Sequence, residues 1–206
     1  MTQGKTATSR TRIIDAARAE VESKGILGLR VQDVAEAAKV SVPLMYKYFG
    51  DRDGLLTEVL GDIFEEYVLE SIERAEDFFR SLENPTVEDL LVLIRLPQQD
   101  SRRSQRWMRV QILAASMEIP ALRQRLRIVQ TLIQERMTSF MDEVQTKLTN
   151  GQHPVSPAAL ALMIQTYSHG FVLNDLLEEE ATASVSADEF AHLMRIMFSA
   201  TMRTDS

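Results

Sequence analysis

Cysteine is absent from the 206 residues, and histidine occurs three times, as His153, His169 and His192. Without cysteine there are no disulfides, no thiolate zinc sites and no cysteine nucleophile. The three histidines follow no metal-ligand spacing, so no metal site is expected. Neither a glycine-rich phosphate loop nor a serine-nucleophile motif occurs. With no nucleophile–base pair and no cofactor cradle, the chain is expected to be neither an enzyme nor a cofactor carrier. No run of 18 apolar residues and no signal-like N-terminus occur, which predicts a soluble, cytoplasmic protein without a membrane partner. Strand-like alternation is missing as well, so the fold is expected to be all-α.

A net charge of −7 hides a division. Residues 1–50 carry eight Lys/Arg against five Asp/Glu, whereas the remainder carries 15 against 25. A basic N-terminal unit on an acidic body suits a protein that offers one surface to phosphates.

Within the basic part the helical signals are dense. Ile13, Ile14, Ala17 and Val21 share one helical face, and Lys24-Gly25 is a helix stop. Val31, Val34, Ala35 and Ala38 then fall at i, i+3, i+4 and i+7. A three-residue turn, Lys39-Val40-Ser41, leads into a short helix from Val42 to about Tyr48, with Ser41 as N-cap and Pro43 in the first turn. Helix, tight turn and short second helix make a helix-turn-helix, which lays its second helix in the DNA major groove.

The residues Ile14-Asp15-Ala16-Ala17, Gly25, Asp33-Val34-Ala35, Val40-Ser41, Met45-Tyr46-Lys47-Tyr48-Phe49 and Arg52 with Leu55-Leu56 stand in the order and spacing of a known domain. From Thr11 to about Leu60 the chain resembles the N-terminal DNA-binding domain of the TetR family of bacterial transcription regulators. The resemblance implies a helix-turn-helix domain at 1–50 and a helical effector-binding and dimerisation domain at 51–206. The chain departs from the family at Arg30, where a hydroxyl residue is usual, at Pro43 and Leu44, where small or polar residues are more common, and at Lys39, which stands where glycine is common, at a left-handed turn. A non-glycine residue costs roughly 1–2 kcal/mol there.

The body continues as helices. Leu56, Val59, Leu60, Ile63, Phe64 and Tyr67 form a stripe that ends at Asn84-Pro85, and Thr86 with Asp89 is a capping signal. A break is expected at Pro97–Ser101, then helices from about Arg102 to Met117 and from Pro120 to Leu148. Ser156-Pro157 opens a helix to about Leu177, and Ser186 with Glu189 is a capping box for a last helix ending near Met202.

The resemblance also implies a function, that of a dimeric, sequence-specific DNA-binding regulator, a repressor released by a small-molecule effector. The alternative is a DNA-binding organiser or cell-cycle factor of the same fold that answers to protein partners. Pairing of about 156–178 and 187–202 with a second copy would form the homodimer, through Leu160, Met163, Ile164, Tyr167, Phe171, Leu193, Ile196 and Met197. Two-fold symmetry then calls for a palindromic double-stranded operator. Val42, Pro43 and Leu44 would meet base edges, where apolar groups read thymine methyls. Gln32 and Lys47 would supply the polar reading. Arg30, Ser41, Tyr46, Tyr48 and Arg52 would hold phosphates, with Lys5, Arg10 and Arg12 as a basic arm. Candidate effector contacts are Trp107, Gln111, Met117, Met137, Met163, Tyr167 and Phe171, although Met and aromatic residues at helical spacing are more often plain core. Arg102, Arg103, Arg106 and Arg109 form one basic helical face, suited to an anionic effector or, better, to pairing with the acidic body.

Overall fold

The computed structural model describes residues 8–95, 99–177 and 187–202, and among these every regular element is helical. In chain order they are α1 (Ser9–Gly28), α2 (Val31–Ala37), α3 (Val42–Phe49), α4 (Arg52–Ser81), α5 (Val87–Arg95), a 3-10 turn at Asp100–Arg102, α6 (Arg103–Glu118), α7 (Pro120–Leu148), α8 (Pro157–Gly170), α9 (Val172–Leu177) and α10 (Ala187–Thr201). No helix among the described residues is long and apolar enough to cross a membrane. The chain falls into two compact units, residues 1–66 with 111–129 and residues 67–110 with 130–206.

In the first unit α1, α2 and α3 pack on one another. Ile13, Ala17 and Val21 of α1, Val34, Ala35 and Ala38 after them, and Met45 of α3 are all buried, as the spacing predicts. Gly25 takes φ 75° and ψ 169° and breaks α1 at the expected stop. Burying one such Ile or Met side chain contributes about 1.5–3 kcal/mol. Asp51 caps α4 by accepting the Gly54 amide at 2.7 Å. Glycine is required at 54 because a Cβ there would lie 1.9 Å from the Phe49 carbonyl oxygen. Further along α4, Arg125 of α7 packs across Gly61, and its Nη2 reaches Glu65 Oε2 at 2.5 Å and Asp62 Oδ1 at 3.3 Å.

The second unit joins the end of α4 to α7 through Phe79 and Phe140, edge to face at 5.9 Å. Arg136 clamps the buried Glu76 with two bonds of 2.9 and 3.0 Å. Thr86 and Asp89 cap α5 reciprocally, the Thr86 amide donating to Asp89 Oδ2 at 2.8 Å. α5 packs against α10, where Arg195 Nε donates to Glu88 Oε1 at 2.6 Å and holds that carboxyl below its usual range.

Three expectations need revision. The helix expected to run from 156 to 177 is two, because the turn at Phe171 tightens and the Asn174 amide bonds back to the Phe171 carbonyl at 2.9 Å. Gly170, a weak helix former, stands at that joint. Ser156 holds the N-cap place of α8 but makes no side-chain capping bond, leaving Pro157 as the start signal. Leu160, expected to face a second copy, is only 2% exposed and belongs to the protomer's own core. Lys5, Pro97, Glu178–Glu180 and Ser186 lie outside the described residues.

Candidate nucleic-acid interface

The turn before α3 has the local chemistry its residues demand. The Ser41 hydroxyl accepts the Leu44 amide at 3.3 Å, and Pro43 occupies the first turn, where its missing N–H leaves no bond unmade. Lys39 adopts φ 54°, the left-handed conformation anticipated for it, and its amide bonds to the Glu36 carbonyl at 3.0 Å. Met45 anchors α3 from below, 2% exposed. The helix thus turns one face inward and leaves the other to solvent.

Most of the candidate DNA contacts are exposed. Ser41, Pro43, Tyr46, Lys47 and Tyr48 are exposed on or just before α3, and Arg30 and Gln32 are exposed at the start of α2. Both tyrosines keep over two-fifths of their surface open (44% and 46%), so neither is core. Val42 and Leu44 are half-buried, which leaves Pro43 as the most open of the three apolar base-reading candidates.

Three further candidate cations make contacts within the domain. Arg52 is half-buried and donates from Nη2 to the Ile26 carbonyl at 3.1 Å, tying the start of α4 to the segment after the α1 break. Arg10 pairs with Glu58 at 2.8 Å and lies over the Phe49 ring at 5.6 Å. Arg12 is half-buried, with Nη2 on Ser9 Oγ at 3.2 Å. Arg10 therefore braces α1 against α3 and α4, whereas the Arg12 bond lies within α1 and leaves its shielded Nε without a partner.

The candidate effector residues fall in both units. Gln111 and Met117 belong to the first unit, where both are exposed; Met117 lends its backbone carbonyl to Arg123 at 2.8 Å. In the second unit Met137 is buried, and Trp107, Met163, Tyr167 and Phe171 are half-buried. Tyr167 stands edge-on to Phe171 at 6.1 Å and stacks flat on Phe190 at 4.4 Å. No group of His, Cys, Asp and Glu among the described residues is arranged to hold a metal.

The basic face of α6 divides by partner. Arg106 is buried and forks onto the buried Asp175 of α9, with Nε to Oδ2 at 2.8 Å and Nη2 to Oδ1, while its guanidinium covers Phe171 at 5.2 Å. Arg103 donates to the Asp175 carbonyl at 2.7 Å, and Arg102 to Ser71 Oγ at 2.8 Å. Arg109 meets neutral groups, Ser168 Oγ at 3.3 Å and the His169 ring at 2.9 Å. Sequence reasoning missed Asp175, a carboxylate inside the apolar run Phe171–Leu177. It also missed Leu162, Leu173 and Leu176, which are more than half exposed.

Comparison with known proteins follows this division. The model of bacterial regulatory proteins of the tetR family matches residues 13–59, the segment from α1 into α4. The HTH-type transcriptional regulator BetI of Paraburkholderia phymatum is 32% identical over 63 residues, 31% of this chain and 32% of that protein. The match spans about a third of the length of that curated relative. Among solved structures, GusR of Salmonella enterica aligns with a TM-score of 0.64 at 22% identity, over 98% of this chain and 99% of its own. A Rhodococcus sp. protein assigned to the TetR-family transcriptional regulators aligns with a TM-score of 0.61 at 24% identity, over 95% and 98%. The solved structures share the fold, and residues 13–59 match the helix-turn-helix domain of the tetR family of bacterial regulatory proteins.

Proposed function

We propose that this chain is a sequence-specific DNA-binding transcription regulator that acts as a homodimer, represses its target and releases it on binding a small molecule. The observation that carries the reading is the outward side of α3, where Ser41, Pro43, Tyr46, Lys47 and Tyr48 stand exposed on a helix anchored by Met45. Such a helix presents hydroxyls and a cation to phosphates and a short apolar tip to thymine methyls. Gln32 and Lys47 are the polar base readers, and Arg30 is a phosphate contact. Arg52 serves the domain's own fold through its bond to Ile26.

The dimer reading is supported by unpartnered apolar side chains near the end of the chain. Leu162 of α8, Leu173 and Leu176 of α9, and Leu193 and Ile196 of α10 are each about half exposed or more. Leu193, Ile196 and Met197 share one face of α10 by their spacing, and a second copy would cover it. Two reading heads then meet successive major grooves about 34–36 Å apart. A small molecule acts through its different affinity for the DNA-competent and DNA-incompetent states.

Selection of fragments from genomic DNA with the purified protein tests the reading. One short palindrome, bound with an affinity that falls steeply as salt rises, is expected. Many scattered sites would indicate the organiser role, and recovery of no preferred DNA would contradict the proposal.

A further inference from the structure

The side chain of Arg109 meets no carboxylate among the described residues, although burial strips it of water. Its Nε is shielded from solvent and has no hydrogen-bond partner. Nη1 touches the Ser168 hydroxyl at 3.3 Å and Nη2 meets His169 Nε2 at 2.9 Å, both uncharged acceptors. The His169 ring is fixed from its other side, where Nδ1 donates to the Gln165 carbonyl at 2.8 Å. Burial alone pulls the guanidinium down to about 10, and no neighbouring charge restores it. Arg109 is therefore still a cation at neutral pH.

Such a group is costly. Removing a charge from water without a counter-charge is worth several kcal/mol, and folded chains compensate by pairing it. Arg106, one helical turn earlier, shows the usual solution in its fork onto Asp175. At Arg109 the chain supplies a hydroxyl and a neutral imidazole instead, and leaves one donor empty.

We infer that Arg109 receives the negative end of the effector, and that the effector is a small organic monoanion bearing a carboxylate. This rests on the proposed effector response. One uncompensated positive charge matches one carboxylate, whose two oxygens suit a guanidinium edge. A phosphate dianion would need a second free cation. Arg106 is already matched to Asp175, and Arg102, seven residues earlier in the chain, donates to Ser71 Oγ between the charges of Arg74 and Glu70. Apolar surface for the organic part is at hand, because Tyr167, the neighbour of Ser168 in α8, stands in a ring cluster with Phe171 and Phe190.

The test uses the full-length protein with sodium hexanoate and sodium benzoate, each set against its amide at constant ionic strength. The melting temperature is expected to rise with the acids and to stay level with the amides. The Arg109 Nε–H signal in nitrogen-15 NMR, identified by its loss in Arg109→Lys, is expected to shift with the acids alone. In Arg109→Gln the acids should bind about tenfold more weakly or worse. The NMR arm uses the unmodified chain, so the result stands even if that variant folds poorly.

Equal response to acids and amides, or acid binding that leaves the Arg109 signal unmoved, would overturn the inference. So would no response to either acid. Release of operator DNA by a neutral compound, unchanged in Arg109→Gln, would overturn it while leaving the effector reading standing. Acid binding that shifts Arg109 yet never alters DNA affinity would sustain the anion site and remove the effector role.

Discussion

In the helix-turn-helix stretch no ionisable residue is buried between Thr8 and Glu66: Arg10, Arg18 and Lys24 meet Glu58, Glu66 and Asp33 at or near the surface, over a core of Ile13, Val34, Met45 and Leu55. In the other unit Glu76, Arg106 and Asp175 are buried, and Arg109 is drawn inside without a carboxylate. Under the proposed function the contrast follows what each region would meet. B-DNA presents the same charged backbone at every site, so a rigid apolar core with polar groups outside suffices. A small molecule must be told from others like it, and charge held away from water discriminates more strongly than charge at the surface.

Breaking an ion pair in each unit sharpens the contrast most. Arg106→Met leaves Asp175 buried and unpaired and should cost about 3–5 kcal/mol in urea unfolding. Adding Asp175→Leu should recover much of that loss, since an apolar pair of similar size removes the stranded charge. Arg10→Gln, at an exposed pair, should move stability by no more than about 1 kcal/mol. Equal losses at the two sites would erase the distinction.

The next effect is in the apolar core. Met45→Ala should cost about 2–5 kcal/mol and abolish DNA binding along with it, because the same side chain holds α3 in place. Loss of stability with binding intact would mean that α3 does not carry the interface. A smaller gain is expected from Lys39→Gly, which relieves the left-handed residue at φ 54°. It should stabilise the fold by about 1 kcal/mol in thermal melts, unless Lys39 makes a compensating contact.

The weakest effect is one of pH. Burial, and then the charge of Arg109, hold His169 below its ordinary 6.5. The folded chain then binds fewer protons at this ring than the unfolded chain does. Its contribution to stability is complete above 6.5 and is lost as pH falls from there through the folded value. Proton NMR of the ring should give a value under 6.5, and Arg109→Gln should raise it. A ring titrating at or above 6.5 would remove the case for a buried Arg109 charge beside it.

Legibility in the sequence follows the same boundary. The helix-turn-helix could be read because local rules decide it: Lys24-Gly25 ends a helix, Ser41 and Pro43 start one, and Val34, Ala35 and Met45 fall on inward positions. In the other unit the capping of α5 and the span of α7 were legible for the same reason. The pairing of Arg106 with Asp175 was not, since 69 residues separate the partners. Nor did spacing distinguish Leu160, which is buried, from Leu162, which is exposed, because both stand on an apolar helix. The candidate effector residues stand out in the sequence by size and flexibility, properties that core residues share, and they fall in both units.

The most direct test is the affinity of Lys47→Gln for the selected duplex, compared with the unaltered protein at equal salt. Lys47 is exposed on α3 and takes no part in the core, so its melting temperature should hold. The account predicts binding to the selected site weakened about ten- to hundredfold, with tolerance for a changed base at one position in each half-site. Unchanged affinity and unchanged base preference would contradict the claim that the outward face of α3 reads DNA.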